Sequence, residues 1–123
     1  MYRRWLGQRA TDPRAVFLIA QRGDALLREV PFLTGFLVGT VEREIPIYRL
    51  NEYGFIHDVW VEPEYRHEGI GRQMVMLAIE RFREIGVTQV RLDTAAKNDA
   101  ARALFARCGF RPSTTEMLIE IGG

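Results

Sequence analysis

Residues 55–85 read FIHDVWVEPEYRHEGIGRQMVMLAIERFREI, and the local signal changes twice along them. Phe55 to Val61 is apolar on both alternating faces apart from His57 and Asp58, as expected of a central strand covered on both sides. Glu62-Pro63-Glu64 then ends the strand. Further on, Ile70, Met74, Leu77, Ala78, Phe82 and Ile85 recur at the spacing of a helix with one buried stripe. Gly86 supplies its left-handed terminator. Arg66-His67-Glu68-Gly69-Ile70-Gly71 therefore falls between a strand end and a helix start. The first amides of a helix lack internal partners and carry the positive end of its dipole, and glycines let an anion approach the chain closely. A pyrophosphate suits such a place.

Outward from this stretch, Val87 to Thr94 alternates as a strand. Asn98 reads as an N-cap, Ala100 to Arg107 as a helix and Gly109 as its stop. Thr114 to Ile121 reads as a final strand. Upstream, Ala15 to Ala20 predicts a strand that turns at Gly23-Asp24, and Phe36 to Val41 predicts its neighbour, with Gly35 and Gly39 marking a bulge or close backbone approach. Ile45, Ile47 and Tyr48 favour extending that strand, whereas Pro46 opposes a central position in a sheet. Tyr2 to Thr11 predicts one short helix that stops before Asp12-Pro13. No repeat or low-complexity run divides the chain, so residues 1–123 are read as one domain.

Composition narrows the function. The 123 residues are 47% hydrophobic, with 17 basic and 16 acidic side chains and a formal charge of +1. A chain of this make-up buries a core of its own and is far from a disordered composition. Its longest apolar runs are too short to cross a bilayer. Although 16 of the 17 basic residues are Arg, they are scattered among acidic neighbours, which argues against a nucleic-acid surface. The lone Cys108 excludes an intrachain disulfide, and MYRRWLGQRA has no apolar segment behind its arginines, so the expected setting is cytoplasmic. No metal-ligand set is read.

By itself the pattern Arg/Gln-x-x-Gly-x-Gly/Ala is weak, since about 0.3 chance matches are expected from this composition. Its place between an apolar strand and an amphipathic helix makes it informative. So does a second block, Asn98-x-x-Ala101-x-x-Leu104-Phe105-x-x-Cys108-Gly109-Phe110. With IHDVWV, EPEYR and RHEGIG in that order, the chain resembles the GNAT superfamily of N-acetyltransferases from about Phe55 to Phe110.

The resemblance implies an α+β, three-layer fold whose mixed, mostly antiparallel sheet has a splayed central strand pair. It implies acetyl-CoA as the acetyl donor, its pyrophosphate on the amides of Arg66, His67, Glu68, Gly69, Ile70 and Gly71 and on Arg72. The pantetheine arm would pair with the backbone of Val59, Trp60 and Val61, side chains that equally serve as core. Asn98 is either a cofactor contact or only a helix cap. The implied reaction is direct attack by a primary amine on the thioester. An alkylammonium must first lose a proton. His57 occupies the position from which related enzymes take it, and an ordinary imidazole accepts at neutral pH. Asp58 is the second candidate, on the opposite face unless a bulge intervenes. A bulged N–H near Val59 would meet charge on the thioester oxygen. Phe105 stands where such proteins often carry the Tyr that protonates the thiolate. Tyr48, Tyr53 or water would substitute, or the thiolate leaves unprotonated. Cys108 reads as packing rather than a nucleophile.

The resemblance also implies a strand and two helices ahead of the hairpin, where only about 14 residues precede the first strand here. The N-terminal helical part is therefore read as shortened, and a homodimer is expected to cover the open flank. The acceptor is an amine of a small molecule or of a peptide or protein, with Arg43, Glu44 and Arg49 as solvated surface on that side. The competing readings are a non-catalytic acyl-CoA-binding module, motivated by Phe105, and a nucleotide-binding fragment of an unrelated parallel fold.

Overall fold

A computed structural model of the chain describes residues 13–22, 32–44, 52–66 and 68–122. Strand β1 (Val16–Arg22) pairs antiparallel with β2 (Phe32–Arg43), and β2 pairs antiparallel with β3 (Glu52–Val61). A single 3-10 turn, Pro63–Tyr65, leads toward helix α1 (Ile70–Ile85). That helix is the crossover a parallel pair requires, and β4 (Val90–Leu92) returns parallel to β3. Helix α2 (Asp99–Arg107) follows. The sheet order is β1-β2-β3-β4, a mixed and mostly antiparallel sheet with helices, as expected of the α+β class.

The core lies between the sheet and α1, where Val16, Leu37 and Ile56 meet Met74, Val75, Ala78 and Phe82. The opposite sheet face is buried as well at Phe36 and Val38, and Phe36 stacks on Trp60 there. The helical stripe differs from the expected one at one position. Leu77 is 55% exposed, while Val75 is fully buried. At 100° per residue, Leu77 falls about 100° from the centre of the stripe that Met74, Ala78 and Phe82 define, whereas Val75 falls about 60° from it, next to Phe82. Gly86 ends the helix at φ 110°, its N–H donating to the carbonyls of Phe82 and Arg83 at 3.1 Å. Asn98 caps α2, its Oδ1 accepting from the Ala101 N–H at 3.1 Å.

Two further expectations need correction. Val87 to Thr94 forms a strand only over Val90–Leu92, because the ladder to β3 ends there. Thr114 to Ile121 forms no strand: Met117, Leu118, Ile119 and Ile121 are 81–89% exposed. Alternation gives a segment strand propensity, but a strand exists only where a neighbour meets its N–H and C=O groups. The readings at Tyr2–Thr11, Gly23-Asp24 and Ile45 to Tyr48 lie outside the described residues.

The Phe82 ring lies flat on the sheet over two glycines. A Cβ on Gly39 would sit 2.7 Å from Phe82 Cζ, and one on Gly54 2.6 Å from Phe82 Cδ1. Only hydrogen at these positions lets a fully buried ring approach so closely. Gly54→Ala is therefore expected to destabilise the fold by about 2 kcal/mol through overpacking. Adding Phe82→Leu to it should restore part of that loss, whereas additive losses in urea unfolding would show that the two sites do not meet.

Candidate functional site

The parallel ladder between β3 and β4 is short. Gly54, Phe55 and Ile56 pair with Val90, Arg91 and Leu92 in turn, and β3 then runs on to Val61 with no ladder on that side among the described residues, which leaves an opening in the sheet. On its other side β3 stays attached to β2 as far as the Glu62 N–H, which donates to the Thr34 carbonyl at 2.7 Å. The backbone of Val59, Trp60 and Val61 thus borders the opening along one edge. The Val61 carbonyl there accepts from Arg66 Nε at 3.1 Å.

Helix α1 starts beside the end of β3. Gly69 is its N-cap in the left-handed region at φ 82°, with no side-chain cap, and the first intrahelical bond is Gln73 N–H to Gly69 C=O at 3.0 Å. The amides of Ile70, Gly71 and Arg72 therefore lie ahead of the first i−4 bond, at the positive end of a 16-residue helix. Gly71 lies beside the end of β3 and α2: a Cβ there would make ordinary contact with Val61 Cγ2 at 3.7 Å and Leu104 Cδ2 at 3.5 Å. Around Gly69 nothing stands within 4 Å of where a Cβ would be, so the loop is open to a ligand. Arg66, Glu68 and Arg72 are exposed; His67 lies outside the described residues.

His57 sits at a break in the sheet. Val38 pairs with Asp58 and Gly39 with Ile56, which leaves His57 as the extra residue of a β-bulge. The bulge falls two residues before Val59, and it resolves the question of faces. Residues 54, 56, 59 and 61 form or pack on the core side, so His57 and Asp58 both fall outside that face and both are exposed. A bulge thus does intervene, the condition under which Asp58 was not expected on the face opposite His57.

His57 Nε2 lies 2.6 Å from Thr40 Oγ1, and Thr40 Oγ1 donates to Glu42 Oε1 at 2.6 Å. The same carboxylate oxygen is 3.5 Å from His57 Nε2. The Phe55 ring lies 4.9 Å from the imidazole, centre to centre. Thr40 and Glu42 escaped the sequence reading. Their i, i+2 spacing on β2 shows that they share a face, but only the register across the strands brings that face to His57.

Other candidates are engaged elsewhere. Glu44 pairs with Arg91 at 2.5 Å, and Arg91 lies over the Tyr53 ring at 4.0 Å, so Glu44 and Tyr53 brace the sheet. Phe105 packs edge-on against Phe110 at 5.8 Å beside the core. Cys108 also packs against the core; burial pushes its thiol up from the ordinary range, with Arg72 and Arg107 pulling the other way. Such a thiol is a poor nucleophile at neutral pH. A cavity of about 380 Å³ lies between β1 and α1 and is lined by Leu18, Gln21, Thr34, Ile70 and Gln73 among others.

Comparison with known proteins adds the lineage. The model of the Acetyltransferase (GNAT) family matches residues 1–110. The chain is 34% identical over 79 residues to N-alpha-acetyltransferase MAK3 of Arabidopsis thaliana, covering 64% of this chain and 42% of that protein. It is 32% identical over 59 residues to the [Ribosomal protein bS18]-alanine N-acetyltransferase of Escherichia coli, covering 48% and 40%. The chain thus spans about two fifths of the length of these curated relatives. The crystal structure of glucosamine-6-phosphate N-acetyltransferase from Arabidopsis thaliana shares the fold with a TM-score of 0.72 at 17% identity, over 98% of this chain and 76% of that one.

Proposed function

Because the chain belongs to the Acetyltransferase (GNAT) family, we propose that it transfers the acetyl group of acetyl-CoA to a primary amine, by direct attack in a ternary complex. The observation that carries this reading is the opening of β3 from β4 beyond Ile56 and Leu92, with the glycine-capped start of α1 at its mouth. In this reading the diphosphate lies on the backbone of residues 66–71, with Arg72 adding charge. Glu68 would contribute its amide alone, since its carboxylate opposes an anion. The pantetheine arm lies along Val59, Trp60 and Val61. The Val61 carbonyl keeps one lone pair for it, the other being taken by Arg66. Phe105 adds an apolar wall, and Asn98 works chiefly as the cap of α2, its oxygen being held by Ala101.

His57 takes the proton from the incoming ammonium, and Asp58 beside it on the bulge draws the cation in. A backbone N–H of the bulged segment near Val59 meets the charge that grows on the thioester oxygen. With Phe105 lacking a hydroxyl and Tyr53 held under Arg91, the thiolate leaves unprotonated, as a thiol of pKa about 8.5 can.

The names of the two curated relatives specify α-amines and a protein alanine, which puts peptide N-termini first among the acceptors, ahead of small-molecule amines. Neither nucleic acid nor membrane enters the reading, and the setting is the cytoplasm. The test is thiol release from acetyl-CoA over a panel of N-terminal peptides and small amines. Release that depends on an acceptor supports an enzyme, whereas tight CoA binding without release would make the chain an acyl-CoA-binding module.

We extend the reading to a homodimer. The β4 edge spans three residues, and the tail beyond α2 leaves Met117, Leu118, Ile119 and Ile121 exposed, so a second copy offers cover for both. Sedimentation at micromolar concentration is expected to show twice the chain mass, and Leu118→Glu/Ile119→Lys to halve it. A single 14.2 kDa species in the unaltered protein would contradict the dimer.

A further inference from the structure

We propose that Glu42, acting through Thr40, fixes which nitrogen of His57 accepts a proton, which makes Thr40 and Glu42 positioning residues for the base. The inference rests on the acetyltransferase reading for its function but not for its geometry. A threonine hydroxyl has one proton, and an ionised carboxylate can only accept. Thr40 Oγ1 stands 2.6 Å from Glu42 Oε1, so its proton lies in that contact. The equally short 2.6 Å contact from Thr40 Oγ1 to His57 Nε2 then needs a proton from the ring. Nε2 therefore carries the hydrogen, and Nδ1 holds the lone pair. The opposite assignment would spend the threonine proton on Nε2 and leave two oxygen acceptors facing each other at 2.6 Å.

The consequence for the reaction follows directly. The ammonium N–H bond breaks, its electron pair stays on the amine nitrogen, and the proton forms a bond to Nδ1. The ring becomes a cation whose Nε2–H remains on Thr40, with the Glu42 carboxylate 3.5 Å away. The freed pair on the amine then attacks the thioester carbon. Phe55, at 4.9 Å from the imidazole centre, limits how the ring can turn away.

The tautomer can be read by long-range 1H–15N NMR of the imidazoles in the full chain, at a pH where the ring is neutral. His57→Ala assigns the His57 signals against those of the second histidine, His67. The expected spectrum shows His57 with its hydrogen on Nε2. In Glu42→Ala the released threonine proton turns toward Nε2, and the hydrogen moves substantially to Nδ1. Kinetically, Glu42→Ala and Thr40→Val should each lower kcat about tenfold or more with the KM for acetyl-CoA unchanged. Thr40→Ser, which keeps the hydroxyl, should rescue most of the rate. Glu42→Ala added to His57→Ala should cost nothing further. A hydrogen on Nδ1 in the unaltered chain, or a spectrum indifferent to Glu42→Ala, overturns the proposal. Because the spectrum needs no turnover, it decides the network even if no acetyl transfer is found, and that absence would count against the enzyme reading alone.

Discussion

Replacing His57 with alanine is expected to lower kcat by about 100- to 1,000-fold, the ordinary worth of a positioned general base, while the KM for acetyl-CoA stays within about twofold. The separation follows from where the residue sits. His57 is the extra residue of the β3 bulge, outside the face that packs on α1, so its loss removes no core contact. It also lies in sequence before Val59, Trp60 and Val61, whose backbone is the proposed track for pantetheine. Asp58→Asn should have a smaller effect and act mainly on the KM of the amine, since that side chain only attracts the cation. Steady-state rates over both substrates check this. Unaltered turnover in His57→Ala would remove the residue from the mechanism.

The second large effect is expected at the loop. Gly69→Glu should weaken CoA binding roughly 100-fold, which corresponds to about 2.7 kcal/mol. Packing is not the cause, because a Cβ at Gly69 meets nothing within 4 Å. Two other terms act. The residue sits at φ 82°, where side chains other than Asn and Asp are strained, and a carboxylate at this helix start repels a diphosphate on the same amides. Gly69→Asn separates them, since asparagine tolerates the left-handed region and adds no charge. It should bind CoA within a few-fold of the unaltered chain. Calorimetric titration of both variants, with thermal unfolding as the control for folding, gives the answer. Equal affinities in all three proteins would refute the placement of the diphosphate.

The parts of the fold that chain-local chemistry determines were legible in advance. Gly86 ends α1 because it takes up a positive φ, and Asn98 announces α2 because its side chain caps it. The parts that depend on neighbours were not. Thr114 to Ile121 alternates like a strand and pairs with no strand among the described residues, and Val87 to Thr94 keeps only the three residues that pair with β3. Leu77 and Val75 are equally apolar, so only the position of the sheet decides which is buried. At the candidate site, the family motif pointed to His57 and to the loop at residues 66–71. The cluster of Thr40, Glu42 and His57 depends on a one-residue register shift between β2 and β3, a property of two strands together.

The most direct test is an amide NMR titration of the chain with coenzyme A, repeated with pantetheine, which lacks the diphosphate and nucleotide. Coenzyme A should shift the amides of residues 68–72 most strongly and those of 59–61 with them, and pantetheine should move only the second group. Shifts centred on another surface, or a spectrum that coenzyme A leaves untouched, would contradict the account.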